Sequence, residues 1–123
     1  MAKVFLDTNY FIDIIHRKPE VQLLDSLENH SVHISPLSVS IYYYTFKIKS
    51  PNRSSIEQLK GMYYIDLSAD ILEKALLGPT SDVEDNIQLH SAALSECDYF
   101  LTNDSRLLSM KFFGKTKILS AME

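Results

Sequence analysis

The sequence is poor in the residues that mark disulfide-rich, disordered and membrane-spanning proteins. Its 123 residues include one cysteine, three glycines, four prolines and no tryptophan. The lone Cys97 excludes an intramolecular disulfide and is expected to be a buried structural thiol, while 46% hydrophobic residues argue against disorder. No hydrophobic run approaches a membrane span, and Asp7 comes too early for a signal peptide. We therefore expect one globular domain over residues 1–123, in the cytoplasm and without a membrane partner.

An excess of positive charge is also missing. Twelve lysines and arginines face sixteen aspartates and glutamates, which gives a formal net charge of −4. Proteins that coat nucleic acids carry basic faces, so this balance argues against such a protein. It does not exclude a nuclease, whose acids take their counter-charge from a metal ion. Lys47, Lys49 and Arg53 flank Pro51 and are candidates for binding a phosphate backbone, although solvated surface charge is the default interpretation.

Two apolar runs each end in an aspartate. Val4-Phe5-Leu6 leads into Asp7, and Tyr99-Phe100-Leu101 leads through Thr102 and Asn103 into Asp104. If both runs are buried parallel strands, each aspartate follows a carboxyl-terminal strand end, where open α/β sheets place their ligand crevices. Two carboxylates gathered there suit a divalent metal ion.

Strand-like runs alternate with stretches of helical spacing along the chain. This alternation predicts a parallel sheet covered by helices on both faces, which is a three-layer α/β/α sandwich. The predicted strands cover residues 3–7, 32–35, 63–66, 98–102 and 116–119. The predicted helices cover residues 10–17, 20–28, 37–49, 54–61, a stretch from Ser68 to Gly78, and 82–96.

The late helix carries a group of acids at its start. Ser81-Asp82-Val83-Glu84 has the pattern of a capping box, which predicts a helix from Asp82 to Glu96. Asp82 and Asp85, three residues apart, project from nearly the same face and can address one point in space. Acids in a first turn are also favoured by the helix dipole, so a structural role is the alternative for each of them.

These elements resemble the PIN domain family of metal-dependent ribonucleases, which includes the VapC-type toxins of prokaryotic toxin–antitoxin pairs. The resemblance covers essentially the whole chain and implies a central parallel sheet with strand order 3-2-1-4-5, so that Asp7 and Asp104 face each other. Four segments carry it: Phe5-Leu6-Asp7-Thr8-Asn9, Ile34-Ser35-Pro36-Leu37-Ser38, Asp82-Val83-Glu84-Asp85-Asn86-Ile87-Gln88 and Phe100-Leu101-Thr102-Asn103-Asp104.

The resemblance also implies a reaction and its residues. Mg²⁺ or Mn²⁺ is the implied cofactor, and single-stranded or structured RNA is the implied substrate, hydrolysed to 5′-phosphate and 3′-hydroxyl ends. An antitoxin and a second copy of the chain are the implied protein partners. The implied catalytic and metal-binding acids are Asp7, Asp85 and Asp104, with Asp82 as an auxiliary metal ligand and Asn9 and Thr102 as polar residues that orient the site.

One departure from the family pattern is serious. PIN nucleases carry a glutamate in the helix after the second strand, and alignment on Ser35 puts that position at Ile41. A one-metal enzyme, an enzyme of low activity and a catalytically degenerate domain that binds RNA or a protein partner all stay open. Tyr42 and Tyr43 follow Ile41 and are candidates for stacking on bases. Division of such tyrosines between the core and an oligomer surface is the more frequent arrangement.

Two further alternatives remain from the residues themselves. Asp7 is also a competent helix cap, since the residues after it have helical spacing. A phospho-acceptor domain with Asp66 as the acceptor has a similar length and α/β order. That domain class carries adjacent acids at the first strand end, whereas Asp7 stands alone.

Overall fold

The computed structural model of the protein describes residues 1–17 and 27–122, so the predicted helix over 20–28 lies almost entirely outside the described residues. The strands are β1 (Lys3–Leu6), β2 (Ser31–Ile34), β3 (Tyr63–Tyr64), β4 (Tyr99–Leu101), β5 (Phe112–Phe113) and β6 (Thr116–Leu119). The helices are α1 (Thr8–Ile12), α2 (Pro36–Thr45), α3 (Arg53–Leu59), α4 (Ala69–Leu77), α5 (Val83–Leu94) and α6 (Ser105–Leu108), with a π-helical turn at Asp13–Arg17 after α1. Within these two ranges, no helix has the length and hydropathy needed to cross a membrane.

The strands form one sheet with the order β3-β2-β1-β4-β6-β5. β1 lies between β2 and β4 and is parallel to both, with Val4 opposite Val32 on one side and Tyr99 on the other. The last predicted strand, over 116–119, is β6 and pairs in parallel with β4, which confirms the predicted order. β5 is an additional antiparallel edge strand, reached through a tight turn in which Gly114 has a φ of 60°.

Alternating side chains of β1 enter two separate hydrophobic cores. Val4 and Leu6 pack with residues of α1 and α2 on one face of the sheet, while Phe5 packs with Phe100 and Leu89 on the other. Both faces of the sheet are therefore covered by helices, as a continuous apolar run in a parallel strand predicts. The three-layer arrangement expected from the sequence is confirmed.

The helix boundaries differ from the prediction where two capping residues compete. Asp82, and not Ser81, is the N-cap of α5, and its carboxylate accepts the Asp85 N–H at 3.1 Å. The predicted capping box is therefore wrong, although both residue types are good caps.

The end of α2 also differs from the prediction. α2 ends at Thr45 and not at residue 49, because Lys47 has a φ of 53° in the left-handed region, which no helix can continue through.

Candidate active site

Asp7 and Asp104 lie side by side at the carboxyl edge of the sheet. Asp7 follows β1 directly, Asp104 lies three residues after the end of β4, and Leu6 and Leu101 are paired in these neighbouring strands. Each aspartate also caps the next helix: Asp7 Oδ1 accepts the Tyr10 N–H and Asp104 Oδ1 accepts the Arg106 N–H, both at 2.8 Å. Capping and membership of the acidic site are therefore not alternatives, since the same carboxylates do both.

Asp7 is a buried carboxylate with too little compensation for its charge. Its side chain and backbone together are 8% exposed, and burial raises its pKa to about 6. Hydrogen bonds from Thr102 and the Tyr10 N–H oppose that rise, while the nearby Asp104 and Glu84 add to it. The Thr102 hydroxyl also accepts the Asp104 N–H at 3.0 Å, so Thr102 links the two acids. Asn9 lies exposed in the first turn of α1.

Asp85 brings α5 into the same acidic group. The pKa of Asp85 is raised to about 6. Burial is the largest cause, and the negative charges of Asp82 and Asp104 are the next largest. Arg106 opposes the rise, and the charge of Asp7 adds a smaller contribution to it. The predicted acids Asp7, Asp85 and Asp104 therefore lie within electrostatic reach of one another, with Asp82 at the exposed rim.

Arg106 lies between two of the acids and has no counterpart in the sequence prediction. Its Nη2 is 2.9 Å from Asp104 Oδ2 and 3.6 Å from Asp85 Oδ2. The hydrogen bond from Arg106 holds the pKa of Asp104 below its ordinary value, whereas mutual repulsion of the acids would raise it. The only local signal for this pairing is a basic residue two positions after a helix-capping acid.

Glu84 is a second residue that the sequence reasoning missed, because the capping-box pattern already accounted for it. Its carboxylate is instead half-buried and receives a hydrogen bond from Thr8, the residue after Asp7. Burial raises the pKa of Glu84, and the Thr8 hydrogen bond opposes the rise. Glu84 thus adds a carboxylate within electrostatic reach of Asp7.

The helix after β2, α2, places the neutral residue Ser38 beside Thr8. Ser38 is fully buried, and its Oγ lies 2.8 Å from Thr8 Oγ1. Ile41 is half-buried one turn further along α2, and no acid occurs between Val39 and Ile48. α2 therefore lacks the carboxylate that the family pattern puts at the Ile41 position.

Asn86 fixes the start of α5, where three of the acids lie. It is buried, and its amide nitrogen donates to the carbonyls of Ala75 at 2.8 Å and Thr80 at 2.9 Å. Its Oδ1 accepts from the Thr80 N–H at 2.9 Å and from the Thr80 hydroxyl at 2.7 Å. These bonds tie α5 to α4 and to the loop before Asp82, so the Asn86 side chain fixes the segment that carries the acids.

The predicted substrate-binding residues are not gathered with the acids. Tyr42 is 5% exposed, and its hydroxyl forms a hydrogen bond with His16 Nδ1. It therefore belongs to the core, where its ring is too buried to stack on a base. Tyr43 lines a groove of about 530 Å³ that also includes Asp66 beside the edge strand β3. The remaining three predicted residues come after the far end of α2, whose ten residues span roughly 15 Å from its start beside the site. These are Lys47, Lys49 and Arg53.

The donor chemistry of the site fits a hard divalent cation. The acids offer oxygen ligands only, which Mg²⁺ and Mn²⁺ prefer. The raised pKa values of Asp7 and Asp85 mark negative charge that the neighbouring groups leave partly uncompensated. Across residues 1–17 and 27–122, no three acidic, histidine or cysteine side chains are already gathered tightly enough to hold an ion. Metal binding would therefore require these side chains to converge.

Solved structures of toxin proteins share this fold. The chain is similar to VapBC2 from Rickettsia felis bound to a DNA fragment from their promoter, with a TM-score of 0.69 and 16% identity over 95% of this chain and 98% of that chain. It is also similar to VapC20 from Mycobacterium tuberculosis, a sarcin-ricin loop cleaving toxin, with a TM-score of 0.64 and 12% identity over 93% and 98% of the two chains. FitAB bound to the IR36 DNA fragment gives a TM-score of 0.53 and 14% identity over 94% and 93%.

These similarities identify the fold as PIN-like. Within that class of α/β domains, the fold is of the VapC type. No protein-family model and no curated protein matches the sequence.

Proposed function

We propose that the protein is a metal-dependent endoribonuclease of the VapC toxin type. The observation that carries this proposal is the position of Asp7, Asp85 and Asp104 within electrostatic reach of one another at the carboxyl edge of a PIN-like sheet. Two of these carboxylates carry charge that their surroundings do not fully compensate. A metal-dependent nuclease needs carboxylates whose negative charge is left for a cation to neutralise.

Each residue of the site has a distinct role in the proposal. Asp7, Asp85 and Asp104 would hold Mg²⁺ or Mn²⁺, with Asp82 as an auxiliary acid at the rim. When bound, the cation supplies charge neutralisation at the phosphate and lowers the pKa of water. Thr102 orients Asp7 through its hydroxyl and holds the backbone of Asp104. Arg106, which is exposed, is well placed to contact a phosphate group of the RNA once the acids bind a cation.

The proposal includes protein partners. The structurally similar VapBC2 and FitAB are toxin–antitoxin complexes, which supports an antitoxin as the partner of this chain. A homodimer, a cytoplasmic location and a single domain over residues 1–123 complete the proposal. Because the structurally similar VapC20 is a sarcin-ricin loop cleaving toxin, the sarcin-ricin loop is one substrate to test beside generic single strands.

The test is cleavage of 5′-labelled RNA with Mn²⁺, with Mg²⁺ and with chelator. We expect cleavage only with a cation, and loss of cleavage in Asp7→Asn and Asp85→Asn. Asp70→Asn is the matched control, since Asp70 is an exposed helix acid paired with Lys74 outside the site. Cleavage that persists in both site variants, or in chelator, would sink the proposal.

A catalytically degenerate PIN-like domain that binds RNA or a protein partner is the second candidate. Two observations favour it: α2 carries Ile41 where an acid is expected, and Arg106 already neutralises part of the site. This candidate predicts RNA or protein binding with no cleavage under any metal condition. Gel-shift and cleavage assays on the same RNA preparation therefore separate the two candidates.

A further inference from the structure

We propose that Glu84 of α5 supplies the carboxylate that α2 lacks. This inference rests on the proposed function, since it adds a ligand to the same metal site. The sequence places no acid on α2, and the structure places an α5 glutamate beside Thr8, which the α2 residue Ser38 also contacts. The missing position is thus filled from a different helix.

The argument begins with the hydroxyl of Thr8, which both helices reach. Ser38 of α2 lies 2.8 Å from Thr8 Oγ1, and Glu84 of α5 accepts a hydrogen bond from the same residue. The Thr8 side chain, next to Asp7, therefore lies beside both the α2 residue Ser38 and the α5 carboxylate of Glu84.

The distribution of charge gives the second step. Arg106 acts on Asp104 and Asp85, at 2.9 Å and 3.6 Å. The charges that act most on Asp7 and Glu84 are those of other acids. The site therefore has one side that an arginine neutralises and one side, at Asp7 and Glu84, that lacks a cation among the described residues. A divalent ion complements the second side.

The face of α5 gives the third step. Gln88 is one turn after Glu84 on the same face, and its Oε1 is 3.5 Å from Ser38 Oγ. Gln88 is 1% exposed, and its amide nitrogen has no hydrogen-bond partner in the part of the chain that the structure describes. A buried amide donor without a partner is costly unless a ligand or water completes it. The face of α5 that carries Glu84 thus has a buried polar group, one turn further along, whose hydrogen bonding is incomplete.

A purely structural role explains Glu84 less well. An acid in the first turn of a helix gains from the dipole while it remains in water. Glu84 is instead turned inward to Thr8, where burial penalises its charge and Asp7 lies nearby. A cation shared by the two carboxylates offsets both costs.

The experiment measures Mn²⁺ affinity of the full chain by isothermal titration calorimetry, with electron paramagnetic resonance of free Mn²⁺ as a second readout. Glu84→Gln keeps the shape and the acceptor for Thr8 but removes the charge. We expect its affinity to fall by about tenfold or more, since even loss of an outer-shell partner costs about 10–100-fold. Glu73→Gln, an exposed glutamate on α4, is the matched control and should bind like the wild type.

A rescue variant keeps the test informative if Glu84→Gln binds Mn²⁺ weakly for a reason other than loss of a metal ligand. Ile41→Glu added to Glu84→Gln returns an acid to α2 and should recover most of the lost affinity, whereas Ile41→Gln in the same background should not. Circular dichroism and unfolding in chelator check that each variant is folded. If Glu84→Gln does not fold, Glu84→Asp replaces it and should bind Mn²⁺ more weakly than the wild type.

The outcomes separate this inference from the proposed function. Wild-type affinity in Glu84→Gln, or in Glu84→Asp if that variant replaces it, with loss of binding in Asp7→Asn, overturns the role of Glu84 and leaves the metal site intact. A loss in Glu84→Gln that Ile41→Glu does not recover shows that the two positions are not equivalent and also overturns the inference. Failure of the wild type to bind Mn²⁺ overturns the proposed function itself.

Discussion

Asp7→Asn should stabilise the protein in the absence of metal. Raising the pKa of Asp7 from 3.8 to about 6 corresponds to about 3 kcal/mol against the charged form at neutral pH and above. Asparagine caps a helix as well as aspartate and can still accept from Tyr10 and Thr102. Its buried NH₂ group needs a partner, which costs about 1 kcal/mol. The expected net gain is about 2 kcal/mol, or about 8 °C in Tm for a chain of this length.

The pH dependence follows from the direction of the shift. The folded state binds a proton at Asp7 more tightly than the unfolded state, so wild-type stability falls as the pH rises from about 4 to 6. The advantage of Asp7→Asn should therefore be absent below about pH 4 and complete above about pH 6. Thermal denaturation in chelator at several pH values measures it.

A matched variant separates the charge from the cap. Asp7→Ala also removes the charge, but it loses the bond to the Tyr10 N–H and should be about 1 kcal/mol less stable than Asp7→Asn at every pH. With Mn²⁺ present, only the wild type should gain stability. An Asp7→Asn protein that melts below the wild type at pH 8 in chelator would refute the claim that this carboxylate is uncompensated.

Three other predictions concern neighbouring residues. Asp104→Asn should destabilise the protein by less than about 1 kcal/mol at pH 7, because Arg106 favours the charged carboxylate. The stability that the charged Asp104 contributes is present above about pH 4 and is lost as the pH falls through its lowered pKa. Equal melting of the variant and the wild type at pH 7 would contradict this prediction. Asn86→Ala should cost about 2–4 kcal/mol in urea unfolding, because it leaves the buried carbonyl of Ala75 and the half-buried backbone groups of Thr80 without their partner. A loss below about 1 kcal/mol would show that water replaces the amide. Ile41→Glu should be destabilised in chelator and recover with Mn²⁺ while Ile41→Gln does not; equal instability with and without metal would place Ile41 simply in the core.

The principal strands and two acids of the site are predictable from the sequence for a physical reason. Buried parallel strands read as continuous apolar runs, and the position of a polar residue directly after such a run is fixed by the sheet. The two apolar runs are therefore enough to place Asp7 and Asp104 at one edge. β5 is not predictable in this way, because two residues are too few to show a strand pattern.

The remaining site residues depend on contacts that local patterns do not encode. Ser81 and Asp82 are both good caps, and the choice of Asp82 decides which way Glu84 projects. Arg106 and Asn86 act through residues distant in the chain, Asp85 and Ala75. Repulsion among the acids would raise the pKa of Asp104, but the hydrogen bond from the Arg106 side chain lowers it, together with backbone hydrogen bonds from Arg106 and Leu107.

The most direct test of the central claim is the chemistry of the RNA ends that the wild-type protein produces with Mn²⁺. Hydrolysis at the acidic crevice predicts 5′-phosphate and 3′-hydroxyl termini, formed only with metal and abolished in Asp7→Asn. Cyclic phosphate and 5′-hydroxyl termini, formed equally in chelator, would show cleavage by the RNA 2′-hydroxyl without a cation and would contradict a metal-dependent nuclease at Asp7, Asp85 and Asp104.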